Sequence, residues 1–430
     1  MRTQHVRRSA PCPPPRTLPD RLSGAALAPA RHIIVAGAGI AGLTAALSLA
    51  RNGLRVTVLE QSDELLETGA GLQLSPNATR VLIGLGLRER LLPSVVAPQG
   101  IRVMSGASGR EIVRIPLDKA EDIYGAPFWT MHRGDLQQAF VAAAQSTTDI
   151  TIKLSTKIED FAVHAEGVSV TARRQSENVD ERGAALIGAD GIWSTVSQRL
   201  KAQQPLRFAH RTAWRALISA NDVRPEFRPP LVHLWLGHNG HLVHYPVKDG
   251  QLINIVGIVH DELNETGWSA PGERDEILRR FARSAWCDTA RDLVATPTRW
   301  LKWALYERGS GFIGVSGPVT LIGDAAHPML PFLAQGAGMA IEDAAVLAYH
   351  LKDSIDNPAA ALRAYEAARR VRTARAQSAS HRQGRIYGLS RPEALVRNMG
   401  MRVLGGERLR ARYDWIYSWR PPEDARSTKR

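Results

Sequence analysis

Residues 32–61 restrict the fold of this chain more than any other segment. A short apolar run leads into three glycines, Gly37, Gly39 and Gly42, after which a helical run and a second apolar run follow. Strand, glycine turn, helix and strand together make a βαβ unit, which builds parallel sheets that helices cover. The sequence therefore predicts an α/β fold with a doubly wound domain that starts near residue 31.

The spacing of the three glycines, Gly-x-Gly-x-x-Gly, is typical of a dinucleotide-binding turn. The first glycine allows the tight turn, the second lets the backbone approach a pyrophosphate, and the third lets helix and strand pack closely. The following helix N-terminus offers free N–H groups to phosphates. Glu60 ends the second strand, where a carboxylate binds a ribose hydroxyl, and this favours FAD or NAD over a 2′-phosphorylated nucleotide.

The same glycine string occurs again at residues 309–314, in a different context. Gly317-Pro318 and an apolar run follow it, so that a strand is predicted there and not a helix. Because phosphate binding needs the helix N-terminus as well as the glycines, we predict that only the first copy binds a dinucleotide.

Two further motifs each follow a short apolar strand. They are Gly188-Ala189-Asp190-Gly191 and Gly323-Asp324-Ala325-Ala326-His327-Pro328. With the glycine turn, the three motifs in this order resemble the group A, single-component FAD-dependent aromatic monooxygenases, of the salicylate hydroxylase and 3-hydroxybenzoate 6-hydroxylase type. The resemblance covers about residues 32–380.

The resemblance implies an FAD site position by position. Arg133 matches the arginine that reaches the flavin nucleotide, Asp190 lies in the family's Asp-Gly motif, and Asp324 matches the acid that holds the ribityl chain. A helix that starts at Gly336-Ala337 would point its dipole at the isoalloxazine ring and stabilise reduced flavin. The implied FAD-binding set is Gly37, Gly39, Gly42, Glu60, Arg133, Asp190, Gly323, Asp324, Gly336 and Ala337.

One departure from the family's pattern lies in the Asp-Gly motif, which the family links to both FAD and the nicotinamide donor. The family places an arginine after Ser-x-Val, whereas here Ser197 follows Val196 and Arg199 comes two positions later. The substitution therefore concerns how NADH or NADPH contacts the protein.

The resemblance also implies the reaction: NAD(P)H and O2 are used to hydroxylate a small phenolic or aromatic acid through a flavin C4a-hydroperoxide. His241 and Tyr245 lie two strand periods apart and share one face with Val243, so they are the predicted acid–base pair for a phenol. Arg215, Pro331 and Phe332 are the predicted substrate contacts, and the apolar stretch around Pro331 indicates a pocket less polar than in some relatives. No metal is predicted.

Three alternatives remain open at this point. A ubiquinone-pathway hydroxylase or an epoxidase with a larger apolar substrate carries the same motifs. A flavin-binding protein without turnover would fit the altered Ser197 position. Nucleic-acid binding by the basic C-terminal helix is disfavoured, because the arginines there are not interleaved with aromatic residues on one face.

The net charge of the chain is unevenly distributed, and its cysteine content is low. The net charge is +13, and its excess lies at the ends: residues 1–31 carry six arginines and one aspartate, and residues 361–400 carry nine arginines and two glutamates. Cys12 and Cys287 are the only cysteines, which fits a reducing compartment, and no apolar run reaches the ~18 residues of a membrane span. We expect a cytoplasmic enzyme without nucleic-acid partners, and a homodimer is left open.

The predicted organisation has five parts. Residues 1–30, rich in arginine and proline, are read as a disordered basic tail. Residues 31–204 form the first part of the FAD-binding domain, residues 205–305 an inserted, mostly antiparallel substrate domain, residues 306–385 the closing part with helices, and residues 386–430 a C-terminal helical segment.

Overall fold

The structure, a computed structural model, describes residues 31–65, 70–200, 205–262, 270–282, 284–309, 314–390 and 392–423. The predicted basic tail, residues 1–30, lies outside the described residues, as do residues 310–313 of the second glycine string. That string is followed by two short strands, as the sequence predicts.

The strands of the described residues, in chain order, are β1 (His32–Ala36), β2 (Arg55–Leu59), β3 (Gly71–Leu74), β4 (Gly100–Ser105), β5 (Glu111–Pro116), β6 (Trp129–His132), β7 (Ile150–Lys153), β8 (Thr156–His164), β9 (Gly167–Arg174), β10 (Glu177–Gly183), β11 (Ala185–Gly188), β12 (Arg207–Ser219), β13 (Leu231–Gly237), β14 (Gly240–Val247), β15 (Leu252–His260), β16 (Ala270–Gly272), β17 (Trp300–Glu307), β18 (Val315–Ser316) and β19 (Val319–Leu321). 

The α-helices of the described residues are α1 (Ile40–Arg51), α2 (Pro76–Gly84), α3 (Arg88–Leu91), α4 (Ala120–Tyr124), α5 (Arg133–Gln145), α6 (Thr195–Arg199), α7 (Arg274–Arg280), α8 (Asp288–Ala295), α9 (Gly336–Leu351), α10 (Pro358–Tyr387), α11 (Glu393–Ala411) and α12 (Asp414–Tyr417). Helix α11 is kinked at Gly405, whose φ of 72° and ψ of 165° are not helical.

The first sheet contains the predicted βαβ unit and has the strand order β18-β19-β11-β1-β2-β7. All neighbouring pairs are parallel except β18 with β19. Strands β1 and β11 are almost completely buried, which is why they read as uninterrupted apolar runs, and α1 and α9 pack together on this sheet. The predicted α/β, doubly wound fold is confirmed.

The second sheet is the predicted β-rich insert, with the order β16-β17-β12-β15-β14-β13-β4-β5. Its strands are antiparallel except where β13 runs parallel to β4. Strands β4 and β5 come from the segment that the sequence assigns to the FAD-binding part, so this sheet is larger than residues 205–305. Alternation within a strand does not reveal a partner so far away along the chain, and the domain boundaries stay predictions.

A small two-stranded sheet, β3 with β6, joins the two large sheets. Thr130 Oγ1 donates a hydrogen bond of 2.7 Å to the Pro246 carbonyl oxygen, and the Gly71 N–H donates one of 2.8 Å to Asn254 Oδ1. A Cβ at Gly71 would lie 2.6 Å from Asn254 Cγ and 2.9 Å from the Tyr245 ring, so only glycine fits there. These contacts hold the small sheet against β14 and β15 of the second sheet, while β3 also contacts α9.

None of the helices that the structure describes combines the length and the apolar character needed to cross a membrane.

Candidate active site

A cavity of about 430 Å³ lies where the two large sheets meet. Its walls come from the glycine turn after β1, the loop after β11, the segment between β19 and α9, and one face of β14 with its neighbours β12 and β15. All three sequence motifs and the predicted acid–base strand therefore face one space, although they are far apart in the chain.

The glycine turn packs tightly at two positions and is open at the third. Gly37 has a φ of +96°, and a Cβ there would lie 2.7 Å from the Ala189 carbonyl oxygen. A Cβ at Gly42 would lie 1.9 Å from the Gly37 carbonyl oxygen, so helix and turn touch directly. A Cβ at Gly39 would meet nothing within 4 Å, and Gly39 lines the cavity. The turn thus exposes its backbone to the cavity at Gly39.

Glu60 lies beside this turn at the end of β2 and lines the cavity. Its carboxylate accepts hydrogen bonds from the Ala38 N–H at 2.7 Å and from the Ser62 N–H at 2.8 Å. These bonds hold the carboxylate against the glycine turn, where the sequence places a ribose-binding acid.

Asp190 lies before the short helix α6, whose N-cap is Ser194, and it lines the cavity with Gly191. It accepts hydrogen bonds from the Ser194 hydroxyl and, at 3.2 Å, from the Val196 N–H. Burial raises the pKa of Asp190 although both bonds favour its ionised form. Ser197 does not line the cavity; its hydroxyl accepts a hydrogen bond of 3.2 Å from Arg308 Nη1.

Asp324 follows Gly323 on a turn of 3₁₀ helix, and its side chain opens into the cavity. Gly323 does not line the cavity: with a φ of +59°, it lies where a Cβ would be 3.0 Å from that of Ala41. Burial raises the pKa of Asp324, and the positive charge of Arg133, which also lines the cavity, opposes this. The carboxyl group of Asp324 therefore has protein around it but remains accessible from the cavity.

A buried network supports this turn from behind. Asp343 Oδ2 accepts hydrogen bonds from the Gly323 N–H at 2.9 Å and from His327 Nε2 at 2.5 Å, and Asp343 Oδ1 accepts one from Arg369 Nε at 2.7 Å. Arg369 Nη1 also binds Glu342 at 2.7 Å. Burial acts to raise the pKa of Asp343, but His327 and Arg369 hold it below its ordinary value. Of these residues, the sequence motifs contain Gly323 and His327 but not Glu342, Asp343 or Arg369.

The segment before α9 brings one predicted substrate residue to the cavity and turns the other away. Pro331, Gly336 and Ala337 line the cavity, whereas Phe332 does not. Phe332 packs against the His241 ring, with centroids 5.5 Å apart, and the 3₁₀ turn Pro331–Leu333 is the reason, because neighbouring residues in it point to different sides. The prediction that Phe332 contacts substrate is therefore not supported by its position.

Strand β14 directs His241, Val243 and Tyr245 into the cavity, as the period of two predicts, and Arg215 of β12 joins them. Burial, with the positive charge of Arg211, lowers the pKa of His241 to about 3, so its imidazole is neutral at physiological pH. Burial likewise raises the pKa of Tyr245, although Arg215 opposes this, so the phenol keeps its proton. This wall therefore presents a neutral imidazole, a neutral phenol and a guanidinium.

His244 lies on the opposite face of β14, where it stacks on His233 with ring centroids 4.3 Å apart. Both rings are fully buried, and neither ring nitrogen of His244 has a hydrogen-bond partner in the part of the chain that the structure describes. Burial lowers the pKa of His233 to about 4, and burial and the positive charges of His233 and Arg102 lower that of His244 well below its ordinary value.

These two histidines should make the protein sensitive to acid. In the unfolded chain both titrate near pH 6.5, whereas the folded protein keeps them neutral to lower pH, so the unfolded state binds more protons below about pH 6.5. The free energy of unfolding should therefore fall as the pH is lowered, by at most about 1.4 kcal/mol per pH unit for each histidine. We expect His244→Leu to reduce this slope, measured by urea unfolding at pH 7 and pH 5. His238→Leu, at an exposed position, is the control, and an unchanged slope in His244→Leu would contradict the argument.

The chain is similar to several known proteins. A family model described as FAD binding domain matches residues 31–380. The chain is 36% identical over 387 residues to 3-hydroxybenzoate 6-hydroxylase 1 of Aquipseudomonas alcaligenes, covering 90% of this chain and 96% of that protein. It is 34% identical over 391 residues to a 3-amino-4-hydroxybenzoate 2-monooxygenase of Streptomyces platensis, with the same coverage. 

Among solved structures, a salicylate hydroxylase substrate complex superposes with a TM-score of 0.77 at 25% identity and covers 92% of this chain and 97% of that one. 

Proposed function

This chain belongs to the FAD-binding-domain family of single-component flavoprotein monooxygenases, and from that premise we propose that its substrate is a hydroxybenzoate or a closely related phenolic acid. It is an FAD-dependent aromatic hydroxylase that uses NAD(P)H. The observation that carries the substrate proposal is that one cavity is lined by the FAD motifs and by Arg215, His241 and Tyr245. The names of the relatives, which act on hydroxybenzoates, support it.

The residues of the cavity fit FAD. Gly39 leaves open space where a pyrophosphate must approach the backbone, and Asp324 offers a surrounded but uncovered carboxylate group to hydroxyls. Glu60 lies beside the same turn, and the N-terminus of α9 at Gly336 and Ala337 faces the cavity. We propose that these groups, with Arg133 and Asp190, hold the cofactor. When bound, FAD supplies the redox chemistry that takes a hydride from NAD(P)H and activates O2.

The protein's own part in the reaction follows from the second wall. Arg215 is the cation that would bind a substrate carboxylate, and it also lies over the Trp303 ring at 5.1 Å, which fixes its side chain. Neutral His241 can accept a hydrogen bond from a phenol, and a developing phenolate beside it would raise the imidazole pKa and let it take the proton. Val243, Val256 and Ile258 make this end of the cavity apolar.

A substrate panel tests the proposal. NADH and NADPH oxidation in air would be measured with hydroxybenzoates, hydroxypyridines and larger quinone-precursor phenols, and the products would be identified by mass spectrometry. We expect one phenolic acid to stimulate oxidation and to gain one oxygen atom. Turnover of only the larger apolar phenols would instead favour the ubiquinone-pathway type of hydroxylase, and hydrogen peroxide as the sole product would contradict the substrate proposal.

Arg215 gives a sharper test of the carboxylate. We expect Arg215→Ala to raise KM for an aromatic acid by about 10- to 100-fold, because a charged hydrogen bond contributes roughly 1.5–3 kcal/mol. The KM for the matching phenol without a carboxylate should change little. Arg207→Ala, at an exposed position of the same strand, is the control. An equal loss for both substrates would show that Arg215 acts structurally.

We further propose that the protein forms a homodimer through α11. Leu395, Val396, Met399 and Val403 are 59–74% exposed and follow one another at helical spacing before the kink at Gly405. Pairing of two such helices through these side chains would cover the apolar stripe of each copy with that of the other, as an isologous interface requires. Light scattering of the parent protein should give twice the mass of one chain. The Val396→Glu variant should give the mass of a single chain. Val371→Glu, at an exposed valine of α10, is the control, and a monomeric parent protein would refute the proposal.

A further inference from the structure

Arg211 is a half-buried residue of β12 that does not itself line the cavity. Strand β12 pairs regularly with β15 from Arg211 onward, so Arg211, Ala213 and Arg215 share one face of the sheet. Arg215 lines the cavity, as does Ile258, which pairs with Ala213 on one side and with His241 on the other. Arg211 therefore continues the cavity-facing side of the sheet beyond the row that contains His241.

Seen from the cavity, the Arg211 guanidinium lies behind the His241 ring. Its Cζ lies 5.8 Å from the centroid of the Phe332 ring, and the Phe332 and His241 centroids are 5.5 Å apart. A Cβ at Gly388, the residue that ends α10, would lie 3.3 Å from Arg211 Nη2. The guanidinium is thus held between an aromatic ring and the C-terminus of a helix, and both favour a cation.

No carboxylate neutralises this cation in the part of the chain that the structure describes. Among the described residues Arg211 forms neither an ion pair nor a hydrogen bond, and burial lowers its pKa. A guanidinium nevertheless stays charged far above neutral pH. The positive charge of Arg211 acts together with burial to lower the pKa of His241. The residues that pair with His241 on β13 and β15, Leu236 and Ile258, are apolar and do not oppose this charge.

The titratable groups around His241 do not oppose it either. Tyr387 of α10 packs on His241 with ring centroids 5.1 Å apart, and burial raises its pKa, so it stays neutral. Burial likewise keeps Tyr245 of the same strand neutral. Arg215 is a second cation of this wall, whereas Asp324 lines the cavity from the side of the FAD motifs. The wall at His241 therefore favours a negative charge on a bound ligand.

We propose that Arg211 is a positioning residue of the hydroxylation that acts through His241, and that its charge keeps the bound substrate as a phenolate beside a neutral imidazole. The inference rests on the proposed function, in which a phenol binds at His241. The phenol O–H gives its proton to an imidazole nitrogen, and His241 then releases a proton to water, because Arg211 disfavours a lasting imidazolium. The neutral ring keeps one N–H, which donates a hydrogen bond to the phenolate oxygen.

The ionisation of a coloured phenol bound to the FAD-loaded enzyme tests this inference. The probe is 5-hydroxy-2-nitrobenzoate, which has a carboxylate for Arg215 and becomes yellow only when its phenol ionises. Its absorbance is titrated with pH in the parent enzyme and in Arg211→Gln, against the same enzymes without the probe. We expect the ratio of phenolate to phenol in the bound probe, at a given pH, to be about 3- to 10-fold lower in Arg211→Gln, because the phenolate loses a nearby positive charge.

Two variants control for charge and for position. Arg211→Lys keeps the charge and should stay within about twofold of the parent. Arg207→Gln, at an exposed position of the same strand, should leave the ratio unchanged. With the substrate that the panel identifies, the acidic limb of the kcat/KM profile should also move to higher pH in Arg211→Gln, since less of the substrate is ionised.

A structural role of Arg211 would change the affinity for the probe but not its ionisation. A ratio in Arg211→Gln equal to that of the parent would therefore overturn the inference and leave the proposed function intact. A parent enzyme that binds neither the probe nor any phenolic acid of the substrate panel would instead refute the proposed function, and this inference with it.

Discussion

Replacing Asp324 with alanine is expected to weaken FAD binding by about 10- to 100-fold, so that most of the flavin is lost during desalting. The reason is that the Asp324 side chain opens into the cavity, where we propose that its carboxylate binds the ribityl hydroxyls of FAD. A hydrogen bond to a charged acceptor contributes roughly 1.5–3 kcal/mol, and alanine offers no replacement. Flavin absorbance relative to protein absorbance, after gel filtration, measures the effect.

Asp324→Asn is the matched variant, because its amide oxygen still accepts a hydrogen bond. We expect it to retain more FAD than the alanine variant. Both variants should unfold in urea like the parent apoprotein, because Asp324 has no salt-bridge partner among the described residues and its replacement therefore leaves no cation unpaired there. Full FAD occupancy in Asp324→Ala would show that this motif does not hold the cofactor.

Replacing Arg369 with alanine is expected to lower the apparent free energy of unfolding by about 3–5 kcal/mol. Arg369 is 1% exposed and binds two carboxylates that are themselves fully buried, Glu342 and Asp343. Its removal leaves Glu342 with one arginine partner fewer and Asp343 with only its hydrogen bonds to His327 and the Gly323 N–H. A buried charge that loses its partner costs about that much. Glu342 keeps a partial partner in Arg372, whose Nε lies 2.5 Å from its Oε2. Urea unfolding of the apoprotein measures the loss.

The same variant should also lose FAD, because Asp343 accepts the Gly323 N–H and so holds the turn that presents Asp324. If Arg369→Ala is not obtained folded, Arg369→Lys keeps the charge without the two-pronged geometry and should show a smaller loss of the same kind. Arg363→Ala, at an exposed position of the same helix, should change stability by no more than about 0.5 kcal/mol. A loss equal to that of Arg363→Ala would contradict the role given to the network.

The sequence identified those parts of the site whose function depends on local geometry. The glycine turn, Glu60 and the two aspartate motifs were recognisable because a tight turn, a strand end and a helix N-terminus all lie within a few residues of one another. The face shared by His241 and Tyr245 was also predictable, since a strand has a period of two whatever surrounds it. The neutral state of His241 was not, because desolvation depends on what packs against the strand.

The residues that sequence reasoning missed act across long separations. Arg308 reaches Ser197, and Arg369 reaches Asp343, through hydrogen bonds between elements far apart in the chain. Glu342 and Asp343 read as ordinary helix residues, and only their complete burial gives their charges a large effect. The sequence offered one signal for them: Glu342 and Asp343 are acidic residues within an otherwise apolar helical run.

The sequence by itself determined the class of fold, because local backbone geometry sets the βαβ unit and its glycine turn. It indicated the cofactor and the type of reaction through the resemblance of its three motifs to a known family. Tertiary structure alone decided that β4 and β5 extend the substrate sheet, that Phe332 turns from the cavity to pack on His241, and that the wall facing the substrate carries neutral His241 and Tyr245 beside charged Arg215. The physical reason is that strand pairing, side-chain direction and desolvation are set by neighbours in space, which a linear pattern does not specify.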